Sequence, residues 1–287
     1  MLNRWIGILA FGLMLLANSA LVLRDIAPAW LAGDPPLSDT FLLQPGASAK
    51  RQTIILDAED RPIGYSFTHA GRSAEMLTVR NWTILDHLPL PTGVPLPQIR
   101  VSTEFTYNSE NILDNMTIRV NGFGVPALIR GEFVPPDAFP CEWQFDEARG
   151  TFLLSGVATR QLAESFRPFD TLPGLWVGRV WQLQIMNPLP QLMGGAAGGI
   201  IATDDAPSSQ SVQVRVTHQE QIAHEGRSVN AFVVVADNLT AWVDPGGEIL
   251  RQEVDMPLLG KLKFVSQRYE EKAYQESING APGAGRE

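Results

Sequence analysis

The sequence predicts a mainly β protein built on a curved antiparallel sheet, a half-barrel or open barrel, with one N-terminal membrane helix and few short helices. Three observations support this fold class. Apolar and polar residues alternate at period two through most of the chain, helical periodicity is scarce, and Gly, Pro, Asn and Asp separate the strand-forming runs. Alternation at period two places one face of a sheet on a core and leaves the other face in solvent.

The composition bounds the size of the core and the class of partner. The chain has 287 residues, of which 45% are hydrophobic and 18% are charged, enough for one large domain or two small ones. Its 22 Lys and Arg residues against 31 Asp and Glu residues give a formal net charge of −9. Nucleic-acid binding depends mostly on neutralising phosphates, so this acidic balance predicts no nucleic-acid partner.

The N-terminal segment, residues 1–25, is predicted as a transmembrane anchor or a signal segment. Its uncharged run from Trp5 to Leu23 contains nineteen residues, which at about 1.5 Å each span the hydrocarbon core of a bilayer. Residues 17–19, Ala-Asn-Ser, form a small-x-small site, so secretion after cleavage is the alternative. In the first case residues 5–23 hold the chain to the bacterial inner membrane in a single pass, with its bulk on the periplasmic side.

Residues 26–50 are predicted as a juxtamembrane lead, and residues 51–274 as one extracytoplasmic antiparallel β domain. The domain begins with a hairpin in RQTIILDAEDRPIGYSFTH, whose turn is residues 57–62. Further strands are expected in SAEMLTVRNWTIL, IRVSTEFTYN, NMTIRVNGFG, ALIRGEFV, CEWQFDEARGTFLLSG and GRVWQLQIM. The intervening DHLPLPTGVPLPQ is predicted as a loop, because its prolines exclude a central strand.

The second half of the domain contains the segments that depart from the strand pattern. TRQLAESFRPF, residues 159–169, is the strongest helix candidate outside the N-terminal segment. Residues 187–211, rich in Gly and Ala, are predicted as a flexible loop, and strands resume in VQVRVTHQEQIAHEGRSVNAFVVVADNLTAWV. Residues 275–287 are predicted as a disordered tail.

The segment AWVDPGGEILRQEV, residues 241–254, predicts a further hairpin. Pro245 presets φ for the first central position of a tight turn, and Gly246 or Gly247 can adopt positive φ at little steric cost. The hairpin carries no nucleophile and no group of metal ligands, so we interpret it as scaffold.

The core should contain large apolar residues from strands in both halves of the domain. Those expected to be substantially buried are Trp143, Phe152, Trp176, Val180, Leu183, Phe232, Val234 and Trp242. If the ring of Trp242 is fully enclosed, its replacement by Ala should cost about 3–5 kcal/mol.

The single cysteine, Cys141, excludes an intrachain disulfide and a cysteine-based metal site. Its setting, FPCEW, offers no local base, so we interpret it as a buried or partly buried bystander thiol. The patterns G-x-S-x-G, H-E-x-x-H, Walker A and the Rossmann glycines do not occur. We therefore assign no catalytic, cofactor-binding or metal site and expect no cofactor.

A cluster of ionisable residues surrounds the sequence QEQIA. In a strand His218, Glu220 and His224 share one face, as the ligands of a metal site must. Ile222 between them is apolar and Gly226 marks a turn directly after, which favours a polar strand end over a site.

Two stretches resemble known families. PGLWVGRVWQLQIMNPL, followed by the TAWVDPGGEILRQEVDMPLLGKLKF hairpin, resembles uncharacterised bacterial envelope proteins over residues 174–270. That family is similar to the lipoprotein-carrier fold, a curved antiparallel sheet whose concave face holds hydrophobic matter. RPIGYSF and TVRNWTIL loosely resemble modules that precede transglutaminase-like domains, whose catalytic Cys, His and Asp have no matching positions here. The resemblance implies a fold rather than an activity.

These observations predict a membrane-tethered extracytoplasmic binding or scaffold protein of the bacterial envelope, holding a lipid, a polymer or a partner protein in its curved sheet. AWLAGDPPL and the loop around LMGGAAGGII combine apolar side chains with turn-rich backbone, so either is a candidate cover for an apolar concavity. The alternative is an envelope hydrolase whose site is assembled from scattered residues. It requires His218, Glu220 and His224 to converge in a pocket.

Overall fold

The computed structural model describes residues 33–86, 97–122, 125–136, 138–155, 171–186, 209–256 and 260–279. The first half of this region contains the strands β1 (Ser48–Leu56), β2 (Pro62–Arg72), β3 (Leu77–Leu85), β4 (Ile99–Tyr107), β5 (Leu113–Gly122), β6 (Val125–Glu132), β7 (Ala138–Phe145) and β8 (Ala148–Ser155). The second half contains β9 (Val180–Met186), β10 (Ser209–His224), β11 (Arg227–Ala236), β12 (Leu239–Val243), β13 (Ile249–Met256) and β14 (Gly260–Gln267). A 3-10 helix, Asp39–Leu42, precedes β1, and helix α1, Glu271–Asn279, follows β14.

All these strands belong to one antiparallel sheet, which confirms the mainly β class. The order is β8-β7-β6-β5-β4-β3-β2-β1-β14-β13-β12-β11-β10-β9, so each half of the chain is a meander and β1 pairs with β14 to join the two. The described strands do not close into a barrel, because β8 and β9 lie at opposite edges of the sheet.

The predicted membrane helix at residues 5–23 lies outside the described residues, as do the helix candidate at residues 159–169 and residues 187–208 of the predicted loop. Within the described part of the chain, no helix combines the length and the apolar character needed to cross a bilayer. Residues 209–211, the end of the predicted loop, belong to β10.

Strand register divides the sheet into a core face and an outer face. The core face carries two large apolar clusters, one on each side of the β1–β14 junction, and a smaller cluster of Ile55, Ile63 and Leu262 lies at the junction itself. The buried residues of the first are Phe41, Ala70, Leu77, Val79, Phe105, Tyr107, Leu113, Met116, Phe139 and Cys141. Those of the second are Leu172, Trp181, Val212, Val214, Val216, Val234, Ala236, Ala241 and Val243. Both halves therefore present their apolar side chains to the same side of one sheet.

Residues 33–47, which we call the strap, connect the two clusters at the end of the sheet where β1 begins. The Gly33 amide donates to the Val180 carbonyl at 3.0 Å, and the Asp39 amide donates to the Thr171 Oγ1 at 2.7 Å. Farther along, the Phe41 ring packs edge-on against Tyr107 with centroids 5.2 Å apart. The strap thus contacts β9 at one edge of the sheet and β4 in the opposite meander.

Two turns form as their residues predict. In the turn at residues 57–62, the Asp57 Oδ1 accepts from the Glu59 and Arg61 amides. In the Asp-Pro-Gly-Gly turn, Gly247 has φ +94°, and a Cβ there would lie 2.8 Å from Pro173. Only glycine satisfies both the left-handed backbone and the close approach of the segment before β9.

The core prediction is confirmed in part. Val234 is 1% exposed, and six others are half-buried: Trp143, Phe152, Val180, Leu183, Phe232 and Trp242. Trp176 was predicted wrongly, because it is 59% exposed in the turn before β9, where the Arg179 guanidinium stacks 4.8 Å from its ring. Trp242 lies on the outer face, opposite Val233 and Arg251, so the full enclosure on which the 3–5 kcal/mol estimate depended is absent.

Several boundaries also differ from the sequence prediction. The run VNAFVVVADNLTAWV is two strands, because Asp237 adopts φ +43° and turns the chain between β11 and β12. A similar turn at Asp146, with φ +54°, divides CEWQFDEARGTFLLSG into β7 and β8. At the C terminus, residues 275–279 complete helix α1, although the sequence placed them in a tail.

Candidate functional site

The core face is filled unevenly along its strands. Near the strap its apolar residues are fully buried, whereas toward the other end, where β1 ends, Ile55 and Leu262 are buried but most of the apolar residues that face the same way are half-buried. We call these the half-exposed patch: Leu85, Ile99, Val101, Ile118, Val120, Ile129, Trp143 and Phe264. Apolar surface of this kind on the inner side of a sheet is the usual lining of a ligand site.

A hydrogen-bonded polar ring borders the patch on β2 and β3. The Asn81 Nδ2 donates to the Ser66 Oγ and the Thr68 Oγ1, both at 2.9 Å, and the Thr83 Oγ1 donates to the Asn81 Oδ1 at 2.9 Å. Because the Thr83 proton is used, the 2.9 Å contact between the Ser66 Oγ and the Thr83 Oγ1 has Ser66 as its donor. The ring is therefore closed, and of its hydroxyl protons that of Thr68 has no acceptor among the described residues.

One cation lies beside this ring on the core face. Arg51 of β1 is directly opposite Thr68 in the β1–β2 register. Its guanidinium lies 3.6 Å from the Glu248 carboxylate, which belongs to the Asp-Pro-Gly-Gly turn, and its side chain is 28% exposed. Arginine, a hydroxyl donor and an apolar surface therefore meet in one region of the sheet.

The register arranges these groups in one row across the strands. Its polar side is Arg51, Thr68, Asn81 and Thr103, and its apolar side is Ile118, Ile129 and Trp143. Neighbouring strands lie about 4.8 Å apart, so the apolar side extends for roughly 10 Å. Such a row can bind an elongated amphipathic molecule, since hydrogen-bond donors and apolar contacts lie along one line.

A second cluster, on the outer face, surrounds helix α1. The His69 ring lies 4.3 Å from the Tyr274 ring and 5.5 Å from the Trp82 ring, measured between centroids, and its Nε2 is 2.8 Å from the Tyr269 hydroxyl. Phe67 closes the cluster, with its centroid 5.7 Å from that of Tyr274. Tyr274 is buried by these contacts, so the cluster is filled by the protein's own helix.

Burial and the charges at the rim of this cluster shift the pKa values of its members. The Lys50 Nζ donates to the Glu271 carboxylate at 2.7 Å, and this bond lowers the pKa of Glu271 to about 2. Burial, with the negative charge of Glu271, raises the pKa of Tyr269 to about 12. Burial also lowers the pKa of His69, and the positive charge of Lys50 adds to the effect. The histidine is consequently held neutral between aromatic rings.

The residues that the sequence suggested for a metal or hydrolytic site do not converge. The His218 Nε2 lies 3.6 Å from Glu220, which also accepts a hydrogen bond from the Trp242 indole, and both side chains are about half exposed on the outer face of β10. His224 is at the end of that strand, opposite Arg227 across the turn. In the described part of the chain, no three His, Cys, Asp or Glu side chains are placed to hold a metal ion.

Cys141 occupies the centre of the first apolar cluster. Its side chain is fully buried, and burial raises the pKa of the thiol to about 12. The nearest polar contact is the Phe139 carbonyl, 3.6 Å from the Sγ. The thiol is buried, as the sequence predicts.

The polar ring and Arg51 were missed at the sequence level, although the sequence contains a signal for them. In β3 the positions facing the core face are Leu77, Val79, Asn81, Thr83 and Leu85. Polar residues within an apolar series at period two indicate hydrogen bonding on the buried face. An isolated Asn and Thr in a strand are indistinguishable from solvent-facing residues until the register is known.

No protein-family model matches this chain, and no curated protein matches its sequence. A similar solved structure is the crystal structure of the β-barrel-like protein of domain of unknown function DUF1849 from Brucella abortus. The similarity covers 78% of this chain and 97% of that chain, with 10% sequence identity and a TM-score of 0.40. At that score the likeness supports no statement about a site or a function.

The neutral state of His69 predicts a pH dependence of stability. Its folded pKa is below the ordinary value of 6.5, so the unfolded chain takes up the proton first as the pH falls. The contribution of the cluster is complete above pH 6.5 and is lost below it, before Glu271 begins to protonate below its ordinary 4.5. In urea titrations between pH 7.5 and about 5, the wild type should lose stability more steeply than His69→Gln.

The control is Thr240→Gln on the outer face of β12, which removes no ionisable group and should retain the wild-type slope. The groups that face His69 are Lys50, Arg80, Glu271, Tyr269 and Tyr274, and all remain in both variants. If stability fell with pH at the same slope in the wild type and in His69→Gln, the assignment of this pH dependence to His69 would be contradicted.

Proposed function

We propose that this chain is a membrane-tethered binding protein of the bacterial envelope, whose core face holds an apolar or amphipathic ligand. The observation that carries the proposal is the half-exposed patch beside a closed polar ring. If this face of the sheet only completed a core, the patch residues Ile99 and Val101 of β4 would be buried as fully as Phe105 and Tyr107 on that strand. Ligand atoms placed there would contribute roughly 25 cal/mol for each Å² of apolar surface removed from water.

We infer further that the sheet curls around this face, and the reach of the strap supports the inference. Gly33 pairs with the free edge of β9, since β10 occupies the other edge, so it lies ten strand spacings from β4. In a flat sheet that separation is roughly 48 Å. The chain from Gly33 to Phe41, together with the side chains of Phe41 and Tyr107, reaches roughly 40 Å even when fully extended. Curvature brings the two contacts within reach.

The strap closes one end of the curled sheet. Pro36, Ser38, Thr40 and Phe41 are buried in it, and the Arg72 guanidinium donates to the Phe41 carbonyl at 3.2 Å. The predicted cover AWLAGDPPL overlaps the strap at residues 33–37, whereas the loop around LMGGAAGGII lies outside the described residues. Because the strap is held in place at one end of the sheet, a ligand can enter at the half-exposed patch.

Ligand binding is tested on the protein purified from its membrane or secreted fraction and examined by native mass spectrometry. We expect a bound mass that organic extraction releases, and we expect the emptied protein to bind an apolar fluorescent probe. Thr83→Leu, which breaks the polar ring within the face, should change probe affinity, while Thr240→Leu on the outer face should not. An apo mass alone, with no extractable lipid and no probe binding, would leave a scaffold without a ligand.

The tether is a separate part of the proposal and has its own test. Reporter fusions at the C terminus should be active only for a reporter that works outside the cytoplasm, because residues 5–23 would carry the chain across or into the membrane. Deletion of residues 5–23 should release the protein from the membrane fraction. Activity from a reporter that works only in the cytoplasm would contradict this topology.

A further inference from the structure

Large apolar side chains that the sheet leaves in solvent gather at one end of it. This is the strap end, where β1 begins, and it consists of the strap, the turns before β3, β5 and β7, and the segment that leads into β9. Among the described residues, seven of the ten large hydrophobic side chains that are more than a third exposed lie there, including Leu37, Leu42, Trp176 and Val177. Exposed apolar residues scattered singly are ordinary on a protein surface, whereas their concentration at one end indicates a contact surface.

The described turns at the opposite end of the sheet are charged instead. They are residues 57–61 between β1 and β2, residues 146–147 between β7 and β8, and residues 237–238 between β11 and β12. Each of these turns contains an Asp, and none of them contains a large apolar residue. The two ends of the sheet therefore suit different surroundings, and the strap end is the one that suits an apolar partner.

The Trp176 turn, residues 173–178, presents two adjacent apolar side chains to solvent. Trp176 is 59% exposed and Val177 is 52% exposed, while Leu175 just before them packs against the second apolar cluster. The Arg179 guanidinium donates to the Gly174 carbonyl at 2.8 Å and lies 4.8 Å from the Trp176 ring. These contacts hold the turn in shape from within, with its two apolar side chains directed outward.

The chain that follows the predicted membrane segment reaches the domain beside this turn. The Gly33 amide donates to the Val180 carbonyl at 3.0 Å, and the Arg179 guanidinium donates to the Asp34 carbonyl at 3.3 Å. Leu23, the last residue of the uncharged run, is ten positions before Gly33, and a chain of that length extends at most about 35 Å. A tether this short holds the strap end within reach of the bilayer surface.

We propose that the Trp176 turn and Leu37 of the strap lie in the interfacial layer of the bilayer to which residues 5–23 tether the chain. The inference rests on the proposed tether and adds the orientation of the domain. The strap end faces the lipid, whereas the half-exposed patch and the charged turns lie toward the opposite end of the sheet, away from the membrane.

The chemistry of these side chains suits the interfacial layer. The tryptophan ring is apolar and its indole N–H bonds to polar groups, so tryptophan is enriched where a membrane meets water. A few such side chains bind a bilayer weakly, and stable attachment takes a second signal, which residues 5–23 would supply. Asp34 and Asp39, on either side of Leu37 in the strap, are exposed, so apolar burial rather than anionic lipid drives the contact.

The experiment measures the depth of a fluorescent label on the full chain in vesicles of phosphatidylethanolamine with a minority of phosphatidylglycerol. Val177→Cys carries nitrobenzoxadiazole, and Ala58→Cys, exposed in the turn between β1 and β2, is the matched control. Cys141 is buried and its thiol has a pKa of about 12, so the wild type treated with the same reagent gives the background. Each label is quenched in turn by a nitroxide attached to the lipid near its head group and by iodide in the water.

We expect the lipid nitroxide to quench the label at residue 177 about fivefold more than the label at residue 58, because interfacial side chains lie about 5–10 Å deep in the head-group layer. Iodide should show the reverse order. Trp176→Ser in the Val177→Cys chain should reduce quenching by the lipid nitroxide. A larger share of phosphatidylglycerol should not increase it, because the exposed Asp34 and Asp39 carry negative charge.

Equal quenching at residues 177 and 58, in protein that remains with the vesicles, overturns the inference and leaves the tether intact. A label at residue 177 that is shielded from iodide but not quenched by the lipid nitroxide also overturns it, because such a label lies against protein, as in a contact between two copies of the chain. If melting curves show that Val177→Cys does not fold, Leu37→Cys takes its place with the same readings. Recovery of the full chain in the soluble fraction of cells contradicts the tether and the inference together.

Discussion

The pairing of β1 with β14 is the constraint on which the rest of this structure depends. Five residue pairs, from Gln52 with Gln267 to Leu56 with Lys263, join two meanders that would otherwise each end in an exposed strand. Because side chains alternate at period two, this register also decides that both meanders turn their apolar clusters to the same side. A slip of one residue would place one cluster on the core face and the other in solvent.

Contacts from the outer face hold the same junction. The Glu270 amide donates to the Gln52 side chain at 3.0 Å, and Lys50 pairs with Glu271 at the start of α1. Tyr274 then packs over Phe67 and His69 of β2, so the helix that follows β14 is fastened across β1 onto its neighbour. The junction is thus clamped by a helix on one side, while the core face stays available on the other.

The sequence was sufficient where local chemistry decides the structure. The turns at residues 57–62 and 244–248 follow from Asp57 and from the Pro-Gly-Gly sequence, and period-two alternation identified nearly all the strands. The sequence was insufficient where strand pairing decides which face a residue occupies. Trp242 belongs to the outer face because it alternates with Ala241 and Val243, and its large apolar ring was a poor guide to burial. Arg51, the polar ring and the strap required the register and contacts between residues more than a hundred positions apart.

The most direct test of the central claim, that β1 and β14 make one continuous core face, is a disulfide across their junction. Thr53→Cys with Ser266→Cys places two thiols at directly opposed positions on that face, where Cα atoms lie about 5 Å apart. We predict that mild oxidation links this pair without loss of the fold. Thr53→Cys with Phe264→Cys, offset by two residues, should remain unlinked because the diagonal separation is about 7–8 Å. Cys141 is no competitor, since its thiol has a pKa of about 12 and is buried. Linking of the offset pair in preference to the opposed pair, or of neither, would contradict the joined sheet.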